Sequence, residues 1–277
     1  MIRKHCLFCL FLLFAICQAK AARIDTLSVK SSKMGKSIEV LVFVPEPCTE
    51  GKEYPVIYLL NGYSGNAHSW PNIKPELPEM VDRDGIIAVC PDGQDSWYWD
   101  SPTQSGSQFE TFVSSELTSY IDSHYPTVSD RTGRAITGFS MGGHGGMWLS
   151  IRHKDIFGAG GSISGGLDIR PFPDNWDMKK QLGEEKQNQA RWDAHTAITQ
   201  LDKIKNGDLA LIIDCGTDDF FYEVNCQFHE ALLKRGINHD FISRPGVHDG
   251  RYWNNSLDYQ WLFFKKYFDG YRDYRKK

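Results

Sequence analysis

Gly138-Phe139-Ser140-Met141-Gly142-Gly143 decides the fold of this chain. It ends the apolar run Arg134–Phe139 and opens a stretch, Met141–Ile151, that is rich in glycine first and apolar later. Gly-x-Ser-x-Gly between a strand and a helix is the sequence form of a nucleophile elbow. The glycines have a steric purpose, because in so sharp a turn a Cβ at position 138 or 142 would meet neighbouring backbone. The turn lifts the Ser140 hydroxyl to the sheet edge, and the helix N-terminus brings partial positive charge to a developing oxyanion. A glycine-rich strand-helix turn without chemistry, such as a phosphate cradle, would share the five-residue pattern but would need no ordered partners.

The surroundings repeat the strand-helix rhythm. Upstream lie the strand-like runs Ile38–Val44, Pro55–Leu60 and Ile86–Cys90; downstream lie Gly158–Ile163, Leu209–Cys215 and Asp240–Arg244. Runs apolar on both faces suit a parallel sheet covered by helices. Phe109, Phe112, Val113, Leu117, Tyr120 and Ile121 form one stripe of a helix. Val224–Lys234 and Leu257–Phe268 also read as helices. The alternation predicts a single α/β domain with right-handed crossovers. Residues 168–206, with Pro171 and Pro173, break the rhythm and read as a mainly helical insertion over the sheet edge.

A serine hydroxyl is a poor nucleophile until a base takes its proton, and the base needs an anionic orienter. With this elbow the partners follow in the order Ser, acid, His. Gly216-Thr217-Asp218-Asp219 leaves the strand Leu209–Cys215, so Asp218 or Asp219 can serve, and Asp219 fits better at the last place of Gly-x-x-Asp. Asp214 lies inside the strand and reads as structural. After the acid come only His229, His239 and His248. His229 falls mid-helix and His239 precedes the last strand, whereas His248 is in the loop at that strand's carboxyl end, where it can reach over Ser140. Two backbone N–H groups are needed for an oxyanion hole. Met141 follows the nucleophile, and Tyr63 lies in the loop Asn61-Gly62-Tyr63 after the strand Pro55–Leu60.

The 277 residues carry a formal charge of only −4 and include 8 Trp, 12 Tyr and 16 Phe. Such aromatic content excludes a disordered chain, and the mild acidity argues against a nucleic-acid partner. Arg3-Lys4-His5, the apolar run Cys6–Cys17 and Ala19-Lys20-Ala21 have the three parts of a secretory signal peptide. The run is too short to span a bilayer, so the alternative of an uncleaved anchor is weaker, and bulky Ile16 before Cys17 weakens a lipoprotein reading further. The domain division is therefore a signal at 1–21 and one domain at 22–277, exported to the periplasm or the medium without stable membrane insertion. Cleavage would leave 256 residues with a charge of −7 and the cysteines Cys48, Cys90, Cys215 and Cys226. Their spacing fits no zinc pattern, and Cys90 and Cys215 read as buried free thiols.

Taken together, Tyr58–Asn66, Phe109–Phe112 leading into Tyr120-Ile121, the elbow, Gly216–Glu223 and His248 followed by Tyr252-Trp253 resemble the esterase D-like branch of the α/β-hydrolases. That branch includes tributyrin-type, feruloyl and acetyl xylan esterases, S-formylglutathione hydrolases and mycolyltransferases. The resemblance spans residues 35–268. It implies a mostly parallel sheet with helices on both faces, Asp219 as the acid, no cofactor or metal, and a small-molecule or polysaccharide-linked ester as substrate. Asn61 departs from the His that many members carry before the glycine. The alternatives are acyl transfer by the same triad, or a non-catalytic glycan binder. Trp97 and Trp99 in Ser96–Ser101, and Trp253, offer aromatic surfaces for a phenolic acyl group or a sugar ring, with packing under the insertion as the equal alternative. His144, just after the elbow, is placed to line the pocket.

Overall fold

Alternation along the strands sorts the core into two layers. In β2 (Lys36–Val44), Val40, Val42 and Val44 pack on one side of the sheet, while Leu41 and Phe43 pack on the other. A computed structural model describes residues 22–270, so the expected signal at 1–21 lies outside the described residues. Among these are β1 (Arg23–Ser31), β2, β3 (Val56–Leu60), β4 (Ile87–Pro91), β5 (Arg134–Gly138), β6 (Ala159–Ile163), β7 (Ala210–Gly216) and β8 (Asp240–Arg244). They form one sheet in the order β1-β2-β4-β3-β5-β6-β7-β8. β1 and β2 are antiparallel to their neighbours, and every pair from β4 to β8 is parallel. β3 to β7 are buried along their whole length, which is why each reads as a continuous apolar run.

Three departures from the sequence reading have local causes. β1 was not expected; it is an edge strand with only Val29 and Ser31 buried, so its apolar alternation is faint. The stripe at 109–121 is helical, but it runs through Phe109–Thr111, a π-helical stretch at Phe112–Leu117, and Thr118–His124. The last helix is Gly250–Phe268, starting well before Leu257, because the Asp249 side chain accepts from the Tyr252 N–H at 2.9 Å and caps it.

The insertion is built of short helical pieces, Met178–Leu182, Glu185–Gln187, Gln189–Ala194 and Ala197–Lys203. It does not cover a sheet edge. Met178, Leu182 and Trp192 join the core layer of Trp97, Trp99 and Trp148, while Ala197 and Leu201 join Met147, Leu211 and Ile213. It connects β6 to β7, in the interior of the sheet, so its apolar residues settle on the helix Met141–Arg152 beside them. Cys48, Cys90, Cys215 and Cys226 are all free thiols, and burial pushes Cys90 and Cys215 far above the ordinary thiol range. Among the described residues no helix is long and apolar enough to cross a membrane.

Candidate active site

The nucleophile position is built by close backbone approach. β5 ends at Gly138, and Ser140 takes φ 57° and ψ −119° before the helix Met141–Arg152 begins. Such a conformation costs a non-glycine residue about 1–3 kcal/mol and persists only when its surroundings impose it. They do so here. Ser140 N donates to Ile163 O of β6 at 2.9 Å, and Gly142 N donates to Phe139 O at 2.8 Å. A Cβ on Gly138 would lie 2.6 Å from Leu60 O, and one on Gly142 would lie 2.4 Å from the same oxygen. Both glycines are thus needed for the helix to start against the end of β3.

Ser140 Oγ lies 2.9 Å from His248 Nε2. His248 Nδ1 lies 2.8 Å from Asp219 Oδ2 and 3.0 Å from Oδ1. With Nδ1 donating to the carboxylate, Nε2 is left as an acceptor for the serine hydroxyl. Asp219 is buried and also accepts from Phe221 N at 2.8 Å, while Asp218 is exposed and bonds Thr217. The reach of His248 depends on another glycine contact, since a Cβ on Gly216 would come within 2.3 Å of Gly246 O. His229 and His239 pair with each other, Nδ1 to Nε2 at 2.7 Å, near the start of β8 and so away from the carboxyl end that carries His248.

The loop after β3 stands beside the nucleophile. A Cβ on Gly62 would lie 2.5 Å from the Phe139 ring and 3.3 Å from Ser140 Cβ. Asn61 shapes this loop: its Oδ1 accepts from Gly93 N at 2.8 Å and from Tyr98 OH at 2.9 Å, and its Nδ2 donates to Gly62 O at 2.9 Å. Met141 N–H is the first of its helix, where geometry leaves the donor without an intrahelical acceptor. Ser140, Asp219, His248, Met141 and the Tyr63 loop therefore meet at the carboxyl ends of β3, β5, β7 and β8. The arrangement can deprotonate a hydroxyl and present backbone donors to a developing oxyanion.

A family model for esterases matches residues 31–264, most of the chain. The chain belongs to the Esterase family. Esterase Rv1288 of Mycobacterium tuberculosis (strain ATCC 25618 / H37Rv) is 26% identical over 246 residues, which are 79% of this chain and 54% of that protein. This esterase-family chain thus spans about half the length of that relative. The diacylglycerol acyltransferase/mycolyltransferase Ag85B of Mycobacterium leprae is 27% identical over 85% of this chain and 81% of its own length. Among solved structures, a ferulic acid esterase superposes with TM-score 0.78 at 27% identity, covering 90% of this chain and 99% of that one. The sheet and its helices are the α/β-hydrolase fold.

Of the three tryptophans offered as aromatic surfaces, Trp97 and Trp99 take the packing alternative and Trp253 stands at the site. Trp97 and Trp99 are 1% and 0% exposed and stack on each other at 5.6 Å, so neither offers an open face. Trp99 Nε1 donates to His144 Nε2 at 2.9 Å, and His144 Nδ1 donates to Gly166 O at 3.0 Å. His144 is therefore a fully buried, neutral packing residue rather than a pocket wall, and desolvation lowers its pKa to about 4. Backbone torsion explains the inward turn, because Trp97 and Tyr98 both have positive φ, 55° and 61°. Trp253 does lie at the site, edge-on to His248 at 5.0 Å and stacked on Phe139 at 4.4 Å.

Sequence reasoning missed Phe220 and Trp176. Phe220 is 51% exposed, with its ring 4.2 Å from that of His248. Trp176, from the insertion, stacks on Phe220 at 5.6 Å. For Phe220 a signal existed, since it directly follows the acid where the chain leaves β7. Trp176 carried none, because its position depends on how the insertion folds back.

Proposed function

We propose that the protein is an exported serine carboxylic ester hydrolase working through Ser140, His248 and Asp219. The observation that carries this reading is the continuous hydrogen-bonded chain of 2.9 Å and 2.8 Å from Ser140 Oγ through His248 to the buried Asp219 carboxylate. In the mechanism His248 Nε2 takes the Ser140 proton as Oγ attacks the ester carbonyl. The N–H groups of Met141 and Tyr63 hold the oxyanion. His248 then gives its proton to the leaving alcohol, and water enters by the same path to free the acyl group. Asp219 keeps the imidazole in the tautomer this sequence needs and stabilises it when charged.

The substrates that fit are short-chain acyl esters and the acetyl or feruloyl esters of plant polysaccharides. The ferulic acid esterase likeness favours the second class, and the aromatic side chains of Phe220, Trp176 and Trp253 beside His248 suit a planar acyl group or sugar. Export rests on the basic start, apolar run and Ala19-Lys20-Ala21 of the first 21 residues.

Hydrolysis of p-nitrophenyl acetate by the wild type and Ser140→Ala tests the chemistry. A fall of at least about 10⁴-fold is expected; a variant that keeps most of its activity would overturn the assignment. Acyl transfer by the same residues is the second reading, favoured by the acyltransferase relative. Adding acceptor alcohols and analysing products separates the two, because transfer yields a new ester instead of free acid.

A further inference from the structure

Two neighbouring residues of the insertion, Trp176 and Asp177, hold left-handed backbone at φ 49° and 53°. Neither is glycine, so their surroundings must impose the conformation. Each touches a different part of the proposed active site. The Trp176 ring stacks on Phe220, which covers His248, and its carbonyl accepts from Trp97 Nε1 at 3.4 Å. The Asp177 carboxylate accepts from Tyr63 OH at 3.1 Å, across 114 residues of sequence.

Tyr63 is the residue whose backbone N–H is assigned above to the oxyanion. Its loop is pinned on both sides. Asn61 bonds Gly93 N, and Ser64 N, itself at φ 62°, donates to Asp95 Oδ1 at 2.7 Å. Between those pins, the Tyr63 hydroxyl donates to Asp177 Oδ2. Lys180 Nζ donates to the same Asp177 oxygen at 2.7 Å, and the bonds from Lys180 and Tyr63 lower the Asp177 pKa, favouring the charged carboxylate. A bond with a charged acceptor is stronger and more directional than a neutral one.

We propose that Asp177 is a positioning residue: by gripping the Tyr63 hydroxyl it orients the loop that carries the second oxyanion donor, so the insertion completes the active site. This rests on the ester-hydrolase reading. Full loss of an oxyanion donor costs about 10²–10³ in rate, so a donor left loosely aimed should cost a part of that.

The experiment measures kcat and KM with p-nitrophenyl acetate for wild type, Tyr63→Phe, Asp177→Ala, Asp177→Asn and the double variant Tyr63→Phe/Asp177→Ala. The rate of Ser140 labelling by a fluorophosphonate probe is followed in parallel, and thermal melts check that each variant folds. Tyr63→Phe and Asp177→Ala should each lower kcat and the labelling rate about 3- to 30-fold, with KM within about twofold. The double variant should be no slower than the slower single one, because both break the same bond. Asp177→Asn, whose amide oxygen still accepts, should lie between wild type and Asp177→Ala. Single variants at wild-type kcat, or losses that multiply in the double variant, would overturn the proposal. Ser140→Ala separates the two levels of inference. If it retains activity, the ester-hydrolase reading fails; if it is inactive while the Tyr63 and Asp177 variants are unaffected, only the positioning role fails.

Discussion

Two aromatic clusters of similar composition lie in this molecule, and they do opposite things. One joins Trp97, Trp99, Trp148, His144 and His195; its three tryptophans are at most 1% exposed. The other joins Phe220, Trp176, Trp253 and His248 at the carboxyl end of the sheet, with Phe220 half exposed. The first contains two histidines and the second one. In the first, both ring nitrogens of His144 are used within the protein. In the second, Nε2 of His248 faces Ser140. Residue type does not separate core from site; what separates them is whether the histidine's acceptor nitrogen meets a fixed donor or a reactive hydroxyl.

The sharpest way to break this comparison is to truncate one aromatic residue in each cluster. Trp99→Ala empties a fully buried indole site and strands His144 Nε2, and should cost about 3–5 kcal/mol in a urea unfolding titration. If it costs no more than a surface substitution, the first cluster is not core. A smaller effect comes from pH. The His144 pKa of about 4 lies below the usual 6.5 because burial opposes charge, and a protonated Nε2 would point its hydrogen at the Trp99 N–H. Above pH 6.5 neither folded nor unfolded chain holds that proton. Between 6.5 and 4 the unfolded chain takes it up first, so stability falls with pH by about 3 kcal/mol in all. His144→Gln should flatten that part of the pH–stability curve, and an unchanged slope would assign it to other groups. The smallest effect on stability is at the rim. Phe220→Ala should change unfolding free energy by less than about 1 kcal/mol, while raising KM for p-nitrophenyl butyrate several-fold. A stability loss matching that of Trp99→Ala would erase the distinction between the clusters.

Much of the site was legible because its chemistry sits at strand ends. Ser140, Asp219 and His248 each follow a run that is buried on both sides of the sheet or closes its edge, and the loop after such a run has one place to go. The choice between Asp218 and Asp219 was a matter of one step round a turn, and in the structure only Asp219 points inward. The direction of Trp97 and Trp99 was not legible, because it follows from positive φ at Trp97 and Tyr98, which no apolar pattern announces. Trp176 was hidden for a related reason, being set by the fold of an insertion with little periodicity. β1 was missed because an edge strand needs few apolar residues. The early start of the last helix was readable after all, from Asp249 as a cap.

The order of the sheet has a consequence for how reactivity is gained and lost. Ser140 follows β5 and His248 follows β8, with β6 and β7 between them. At about 4.8 Å per strand these loops leave the sheet roughly 14 Å apart, and the two residues are 108 apart in sequence. The base therefore meets the nucleophile only after β8 has docked on β7 at the far edge. During refolding, recovery of Ser140 labelling should be among the last events, after closure of long-range contacts. β8 is also an edge strand with no fully buried residue, the kind of segment that opens locally at small cost. Detachment of that strand alone would silence the serine while the rest of the sheet stayed intact, so inactivation should precede unfolding on heating.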